Sequence, residues 1–224
     1  MKKDYLNILS KISLDIKEIS FDKMAKLIIV TKSQPTSSIR KLFDLGYNNF
    51  GENYLEEAVI KINEMNEDDI EWHFIGNIQS NKIKKIVKFF SWIQTVSSIK
   101  HANILNEECK KIDKKINICV QINIDNEKSK GGINIKDVDT FFENISIYKF
   151  LSIRGIMAIP SKHNALKENE NSYNILKSEY DRLRSKYESI DTLSLGMSND
   201  FKLALSKGSN MIRVGSLIFG ERKL

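Results

Sequence analysis

The sequence predicts an α/β protein, a single (β/α)8 barrel of the TIM type with an extra helix at the amino terminus. Apolar runs rich in β-branched residues alternate with helical segments along the chain, which is typical of a parallel sheet. There are eight such runs, the number that closes this barrel. The length of 224 residues suits one such unit, and we see no linker or internal repeat. We therefore expect residues 1–224 to form one domain.

An amphipathic helix is expected before the first strand, over residues 5–18. Because only a short stretch follows the last strand, this helix is expected to cover the flank that a final helix would otherwise occupy. A polar loop at residues 162–171 leads into a long helix over residues 172–187. The apolar side of the first helix comprises Leu6, Leu9, Ile12, Ile16 and Ile19. The strands are expected at residues 26–32, 48–51, 71–76, 92–96, 117–124, 152–159, 192–198 and 211–217.

Composition excludes several classes of protein. The chain has 41% hydrophobic and 29% charged residues, as globular proteins do. Its apolar runs are much shorter than the roughly 20 residues that cross a bilayer. Asp15, Lys17 and Glu18 interrupt any signal-peptide core, so we expect a cytoplasmic protein with no membrane partner. The net charge of +6 comes without a recognised nucleic-acid module, so no nucleic-acid partner is expected.

The two cysteines, Cys109 and Cys119, have no CxxC spacing and no histidine cluster around them. A disulfide framework or a metal site is therefore not expected. Both residues are predicted to be buried free thiols.

The chemistry of such barrels lies at the carboxyl ends of the strands. The first strand ends in a lysine, Lys32, shortly before a helix that begins after Pro35. Alternation places Lys32 on the same side as Ile28 and Val30, so an inward-facing strand would direct its amine into the barrel mouth. An amine in this position suits Schiff-base chemistry. From this segment alone, a lysine that extends from the strand end to water is the alternative interpretation.

The seventh strand alternates large apolar residues with small ones. If Ser194, Gly196 and Ser198 face the lumen, the mouth gains space and hydroxyl donors. Ser198 is also a good N-cap for a helix starting near Asn199, whose free amides favour a bound anion. Capping without any ligand is the alternative.

The eighth strand places Arg213 and Gly215 on one face, opposite Ile212 and Val214. Gly215 permits a ligand to approach the backbone closely, and Ser216 adds a hydroxyl. These residues follow the last two strands, where many barrels bind phosphate. An arginine paired with a neighbouring carboxylate is the alternative.

Together, these strand ends describe a site for a phosphorylated aldehyde. Pyridoxal 5′-phosphate satisfies all of them. Lys32 would form an imine with the aldehyde, and Arg213 would face the pyridine nitrogen. The phosphate would be held by Ser198, Gly215 and Ser216.

Seven sequence motifs follow one another over nearly the whole chain. Through these motifs the chain resembles the pyridoxal phosphate homeostasis protein family, whose members are single-domain relatives of the barrel of alanine racemase. The resemblance implies the same cofactor roles for the residues above and adds Asn53 as a contact. Thr31, where serine is usual, is a mild departure. The motifs are VTKSQP (30–35), FGENY (50–54), WHFIG (72–76), QSNK (79–82), RGIMAI (154–159), LSLGMSND (193–200) and IRVGSLIFG (212–220).

Two classes of function remain open. In the first, the protein holds the cofactor as an imine and supports its supply to apo-enzymes, without catalysis. An arginine at the ring nitrogen weakens the ring as an electron sink, which favours this hypothesis. In the second, the protein is an amino-acid racemase or a related enzyme that uses the same imine. A Schiff-base aldolase acting on a sugar phosphate is a third alternative, which leaves Arg213 without its ring nitrogen.

None of the three histidines, His73, His101 and His163, forms an obvious pair with Lys32, and His73 is interpreted as a core residue. Lys82 and Lys130 follow the third and fifth strands, where they are either solvated or present further amines near the mouth for handing over the cofactor. Because alanine racemase has a second domain that this chain lacks, we expect a monomer.

Overall fold

The computed structural model describes residues 5–21, 24–127, 129–161 and 171–220. Eight parallel strands, β1 to β8, form a closed barrel in which each strand pairs with the next and β8 pairs with β1. This confirms the predicted (β/α)8 fold. The strands are β1 Lys26–Val30, β2 Asn49–Glu52, β3 Glu71–Phe74, β4 Trp92–Val96, β5 Ile116–Ile122, β6 Leu151–Ala158, β7 Thr192–Ser194 and β8 Met211–Val214.

Helices surround the barrel and alternate with the strands along the described chain. Two short 3-10 helices, Ser80–Lys82 and Ile135–Asp137, precede the helices that follow β3 and β5. The α-helices are α1 Tyr5–Ile19, α2 Thr36–Asp44, α3 Leu55–Met65, α4 Ile83–Phe89, α5 Ile99–Lys111, α6 Val138–Ile145, α7 Asn171–Lys186, α8 Phe201–Ser206 and α9 Ser216–Phe219.

The two faces of β1 belong to different apolar clusters. Ile28 of β1 lies in the lumen, in the same cluster as Trp92 and Met211. The next residue, Ile29, belongs to the larger core between the strands and the helices. The register pairs Ile28 with Arg213 of β8. The inward face of β1 predicted from alternation is therefore confirmed.

Helix α1 packs against α8 and α9, and it covers the flank of the barrel as expected. Leu9, Ile12 and Ile16 are buried in this packing. The expectation for Leu6 was wrong, because 59% of this residue is exposed. The long helix α7 is confirmed within one residue at each end, whereas residues 162–170 of the preceding predicted loop lie outside the described residues.

Five strands are shorter than predicted. Among them, β3 ends at Phe74 and β5 at Ile122, each two residues before the expected end. In β1, β7 and β8 the alternating pattern continues into the loops that follow the strands. β1 ends at Val30, before a turn in which Ser33 has a φ of 61°. β7 ends at Ser194, before Gly196 with a φ of 93°. β8 ends at Val214, and residues 216 and 217 begin α9.

Cys109 and Cys119 are buried free thiols, as predicted. Across the described ranges, no helix is both long enough and apolar enough to span a membrane.

Candidate functional site

The carboxyl ends of the strands enclose a cavity of about 270 Å³. It lies at the predicted mouth of the barrel, and its lining includes all six residues expected from the sequence to bind the cofactor. These residues come from the ends of β1, β2, β7 and β8. They are Lys32, Asn53, Ser198, Arg213, Gly215 and Ser216.

Lys32 reaches the cavity from a tight turn that follows β1. The N–H of Gln34 donates to the carbonyl oxygen of Thr31 at 3.0 Å, which closes the turn around Lys32 and Ser33. Lys32 is half-buried and lines the cavity, so its side chain lies at the mouth as alternation predicted.

Arg213 is almost fully buried at the floor of the cavity. Its guanidinium donates to the Ser194 carbonyl at 2.8 Å, to the Ser194 hydroxyl at 2.6 Å and to the Ala158 carbonyl at 3.0 Å. Three of the five guanidinium N–H donors are thereby used, and two have no partner within the described ranges. Among the described residues Arg213 forms no salt bridge to a carboxylate, so the carboxylate alternative is not what this structure shows. Burial lowers the pKa of Arg213 to about 10, which leaves it protonated at neutral pH.

A chain of polar side chains in the lumen supports Arg213 from below. The Ser194 hydroxyl donates to Gln94 Oε1 at 2.7 Å, and Gln94 Nε2 lies 3.0 Å from His73 Nδ1. Burial, with a smaller contribution from Lys26, holds the pKa of His73 well below its usual value. His73 is therefore a neutral core residue, as interpreted from the sequence.

Ser198 joins the loops that follow β7 and β8. Its Oγ accepts hydrogen bonds from the N–H groups of Gly215 at 3.2 Å and Leu217 at 3.1 Å. The hydroxyl hydrogens of Ser198 and Ser216 find no acceptor among the residues that the structure describes. Two hydroxyl donors therefore remain at this edge of the cavity, and such donors bind anions well.

Two expectations about the β7 loop were wrong. Ser198 does not cap the following helix, because Asp200 precedes α8 and accepts from the Met197 N–H at 2.7 Å. Gly196 does not face the lumen, because a Cβ there would lie 2.6 Å from the Cβ of Ala204. The strand has ended before Gly196, so strand alternation no longer applies.

Asn53 contributes an unpaired polar atom to the cavity. Its Oδ1 is buried and has no hydrogen-bond partner in the described part of the chain. Glycine at position 76 allows the Asn53 backbone to approach closely, because a Cβ at Gly76 would lie 2.0 Å from the Asn53 carbonyl oxygen. A buried acceptor without a partner is costly, which indicates that a ligand completes this position.

A buried ion pair that was not predicted from the sequence lies beside the Lys32 turn. Lys61 of α3 contacts Glu52 at the end of β2 at 2.7 Å, and both residues are buried. Burial raises the pKa of Glu52, although Lys61 opposes this effect. A signal was present, since Lys61 falls at helical spacing with Ala58 and Met65 on the buried face of α3.

A second cavity of about 530 Å³ adjoins the first and shares Asn53, Ile75 and Ile159 with it. Its lining includes Lys82 and Lys130. Both lysines therefore lie near the mouth, as the handover hypothesis requires. Lys130 Nζ donates to Glu127 at 2.7 Å and to the Ile159 carbonyl at 3.1 Å.

His101 does not belong to the described lining of the cavity. His101 Nε2 lies 3.2 Å from the Ser80 hydroxyl, and partial burial lowers the pKa of this imidazole. His163 lies outside the described residues.

Sequence comparisons place the chain among known proteins. The family model described as alanine racemase, N-terminal domain, matches residues 14–223. A pyridoxal phosphate homeostasis protein from Haemophilus influenzae is 39% identical over 201 residues, which are 88% of this chain and 85% of that protein. The protein of the same name from Escherichia coli K12 is 37% identical, over 88% of this chain and 85% of that protein.

Solved structures show the same fold. PipY from Synechococcus elongatus, with PLP bound, superimposes with a TM-score of 0.87 and 28% identity. The match covers 97% of this chain and all of PipY. Alanine racemase from Clostridium difficile 630 gives a TM-score of 0.72 at 17% identity, and the match covers 96% of this chain but 57% of that enzyme.

Proposed function

Because the chain belongs to the pyridoxal phosphate homeostasis protein family, within the alanine racemase N-terminal domain family, we propose that it binds pyridoxal 5′-phosphate. We further propose that it holds the cofactor as an imine on Lys32. In this role it supports the intracellular supply of vitamin B6 to apo-enzymes without catalysing a reaction.

One observation carries the proposal: a single cavity combines groups for each part of the cofactor. Asn53 supplies a buried acceptor without a partner, and Arg213 retains two N–H donors. Ser198 and Ser216 offer hydroxyl donors for a phosphate. Gly215 directly precedes Ser216, and its N–H donates to Ser198. These donors and acceptors fit the charge and hydrogen-bonding pattern of pyridoxal phosphate.

Lys32 would hold the cofactor covalently. Its amine nitrogen would form a double bond with the aldehyde carbon, and the aldehyde oxygen would leave as water. Because the linkage is hydrolysed by the reverse reaction, it allows both storage and release. Borohydride reduction makes it permanent and therefore measurable.

Arg213 would determine how reactive the bound cofactor is. Pyridoxal phosphate supplies an aldehyde and a pyridine ring that withdraws electrons most strongly when its nitrogen is protonated. Arg213 is held by Ser194 and Ala158 and is itself protonated, so it disfavours a proton on a neighbouring ring nitrogen. This arrangement supports a carrier rather than a catalyst.

A racemase is the second candidate, and one observation favours it. Tyr54, Lys82 and Lys130 line the adjoining cavity and could serve as acids or bases. Within the described lining of the first cavity, however, Lys32 and Arg213 are the only ionisable side chains. Racemisation needs a proton donor and acceptor beside the cofactor, so we retain the carrier as the proposed function.

The first prediction is that borohydride treatment of the cofactor-loaded protein traps one adduct per chain, at Lys32. Intact mass and peptide mapping would measure it. Lys32→Ala should lose the adduct, whereas Lys202→Ala should keep it, since Lys202 forms an exposed salt bridge with Asp15. Adducts confined to other lysines would contradict the proposal. Amino-acid racemisation that disappears in Lys32→Ala would establish the second candidate instead.

The identity of the recipient enzymes, the cytoplasmic location and the monomeric state stay predictions. The handover hypothesis can be tested by measuring the transfer of the cofactor to a purified apo-enzyme. The rate is compared between the wild-type protein and a double variant, Lys82→Ala with Lys130→Ala. An unchanged transfer rate would remove these two lysines from the hypothesis.

A further inference from the structure

The turn that carries Lys32 has an unfavourable backbone conformation. Ser33 has a φ of 61°, in the left-handed region that residues other than glycine seldom adopt. Such a conformation is unfavourable and persists only where the surroundings hold it. Lys32 directly precedes Ser33, so whatever holds this turn also determines where the Lys32 side chain begins.

Lys61 holds the turn from its outer side. Its ammonium donates to the Thr31 carbonyl at 2.7 Å, to Glu52 Oε1 at 2.7 Å and to Glu57 Oε1. An ammonium has three N–H donors, so all of them are used. Lys61 is only 4% exposed and therefore has little freedom to move.

Glu57 holds the other side of the same turn. Its Oε1 accepts the Ser33 N–H at 2.6 Å and also accepts from Lys61. The residues before and after Lys32 are thus connected through one ion pair on α3. Thr31 is held once more, because its hydroxyl donates to Glu52 at 2.6 Å.

This ion pair is poorly explained by stability alone. Burying charged groups carries a large desolvation cost, and well-packed apolar residues often serve equally well. An apolar side chain at Lys61 could fill the space, but it could not bind the Thr31 carbonyl or orient Glu57 toward the Ser33 N–H. The contacts that would be lost are those that define the turn.

We propose that Lys61, together with Glu57, is a positioning residue that holds the turn so that the Lys32 amine lies in the cavity. The inference rests on the proposed function, because it assigns a role toward the cofactor lysine. Neither Lys61 nor Glu57 touches the cavity, so both act through the backbone on either side of Lys32.

The test compares Lys61→Met with Lys85→Met, which removes an exposed ion pair between α4 and Glu56 of α3. Pyridoxal 5′-phosphate is added at a temperature well below the unfolding midpoint of each protein. Growth of the visible band gives the rate, and borohydride trapping with peptide mapping gives the share of adduct at Lys32. Lys61→Met should react at least tenfold more slowly at Lys32, and Lys85→Met should match the wild type.

Two further variants separate positioning from general stability. Glu57→Gln keeps the shape of a partly exposed side chain and should also slow the reaction of the cofactor with Lys32. It therefore tests the positioning role if Lys61→Met does not fold. Ser33→Gly, added to Lys61→Met, should restore part of the lost rate, because glycine adopts this φ without strain.

The inference is overturned if Lys32 reacts at the wild-type rate in both Lys61→Met and Glu57→Gln. If Lys61→Met does not fold, a wild-type rate in Glu57→Gln alone overturns it. Either result would leave the proposed function intact. Failure of Ser33→Gly to restore any rate would also overturn the inference. If the wild-type protein itself forms no adduct at Lys32, the proposed function fails instead.

Discussion

Arg213 and Lys61 are two buried cations that the molecule uses differently. Lys61 is neutralised by Glu52 and Glu57, and its three donors are all occupied. Arg213 has no carboxylate partner among the described residues and is held by carbonyl and hydroxyl oxygens. Arg213 lines the cavity, so its positive charge is not neutralised by a carboxylate at the place where a ligand would bind. The first cation shapes the site, and the second is placed to meet a ligand.

The two thiols provide a test of burial at single residues. Burial raises the pKa of Cys109 to about 11 and that of Cys119 to about 12. Since the thiolate is the reactive form, on the order of one Cys109 side chain in a thousand is ionised at pH 8. We predict that iodoacetamide leaves both thiols unmodified in the native protein at pH 8 and modifies both in guanidinium. Rapid alkylation of the native protein, measured by mass, would contradict this.

The Cys119 thiol also predicts how the free energy of unfolding depends on pH. The pKa of Cys119 is raised above its usual value of 9.0 in the folded state, so the unfolded chain loses its proton first. Its contribution is therefore complete below pH 9 and is lost as the pH rises toward 12. The free energy of unfolding should fall less steeply between pH 9 and 10.5 in Cys119→Ala than in the wild-type protein. Equal slopes in urea unfolding at these pH values would refute the assignment.

Lys32 and Arg213 were predictable because each one breaks a local pattern, whereas Asn53 was expected only from the family resemblance. Lys32 and Arg213 are charged residues within apolar strand sequences, and a barrel brings all strand ends to one mouth. The pair formed by Lys61 and Glu52 was not found, because it joins a helix to the end of the preceding strand. The helical spacing of α3 places Lys61 on the buried face, but its pairing with Glu52 depends on packing that no local spacing describes.

Strands were predicted more reliably than their ends. Runs such as Ile28 to Val30 are apolar because both faces are buried, which marks a parallel strand clearly. The ends depend on the last hydrogen bonds to neighbouring strands, and β7 has only three residues. The alternating residues after Ser194 continue the pattern without continuing the strand.

Gly155 shows how the pairing of strands depends on one residue. β6 has an irregularity beside β5, where Ile153 and Gly155 pair with consecutive residues of that strand. Gly155 has a φ of 157°, and a Cβ there would lie 1.7 Å from the Thr192 carbonyl oxygen of β7. We predict that Gly155→Ala lowers the free energy of unfolding by about 3 kcal/mol or more, because β6 and β7 must separate.

Gly46→Ala is the matched control for this prediction. Gly46 also has a positive φ, of 89°, but nothing lies within 4 Å of the position of an added Cβ. This variant should lose only about 1 kcal/mol, from backbone strain alone. Equal losses for the two variants in urea unfolding would show that crowding against Thr192 is unimportant.

Helix α1 covers the flank of the barrel and also contacts a helix that lines the cavity. It packs on α8 and α9, and α9 begins at Ser216 beside the cavity. Phe219 of α9 lines the cavity and also meets Tyr5 of α1 in an edge-to-face contact, with ring centroids 5.9 Å apart. The amino-terminal helix thus supports the wall of the site from outside, which a sequence pattern alone did not reveal.

This connection predicts that Tyr5→Ala affects both stability and ligand binding. Losing the ring should lower the free energy of unfolding by about 1–3 kcal/mol. Because α9 loses its support, the affinity for pyridoxal 5′-phosphate should also fall, by about three- to tenfold. Tyr187→Ala removes a similar ring contact, 5.7 Å from Phe142, and neither ring lines a described cavity. It should lose stability alone. Titration of the visible band measures the affinity of each variant, and urea unfolding measures its stability. Unchanged affinity in Tyr5→Ala would show that α1 supports the fold but not the site.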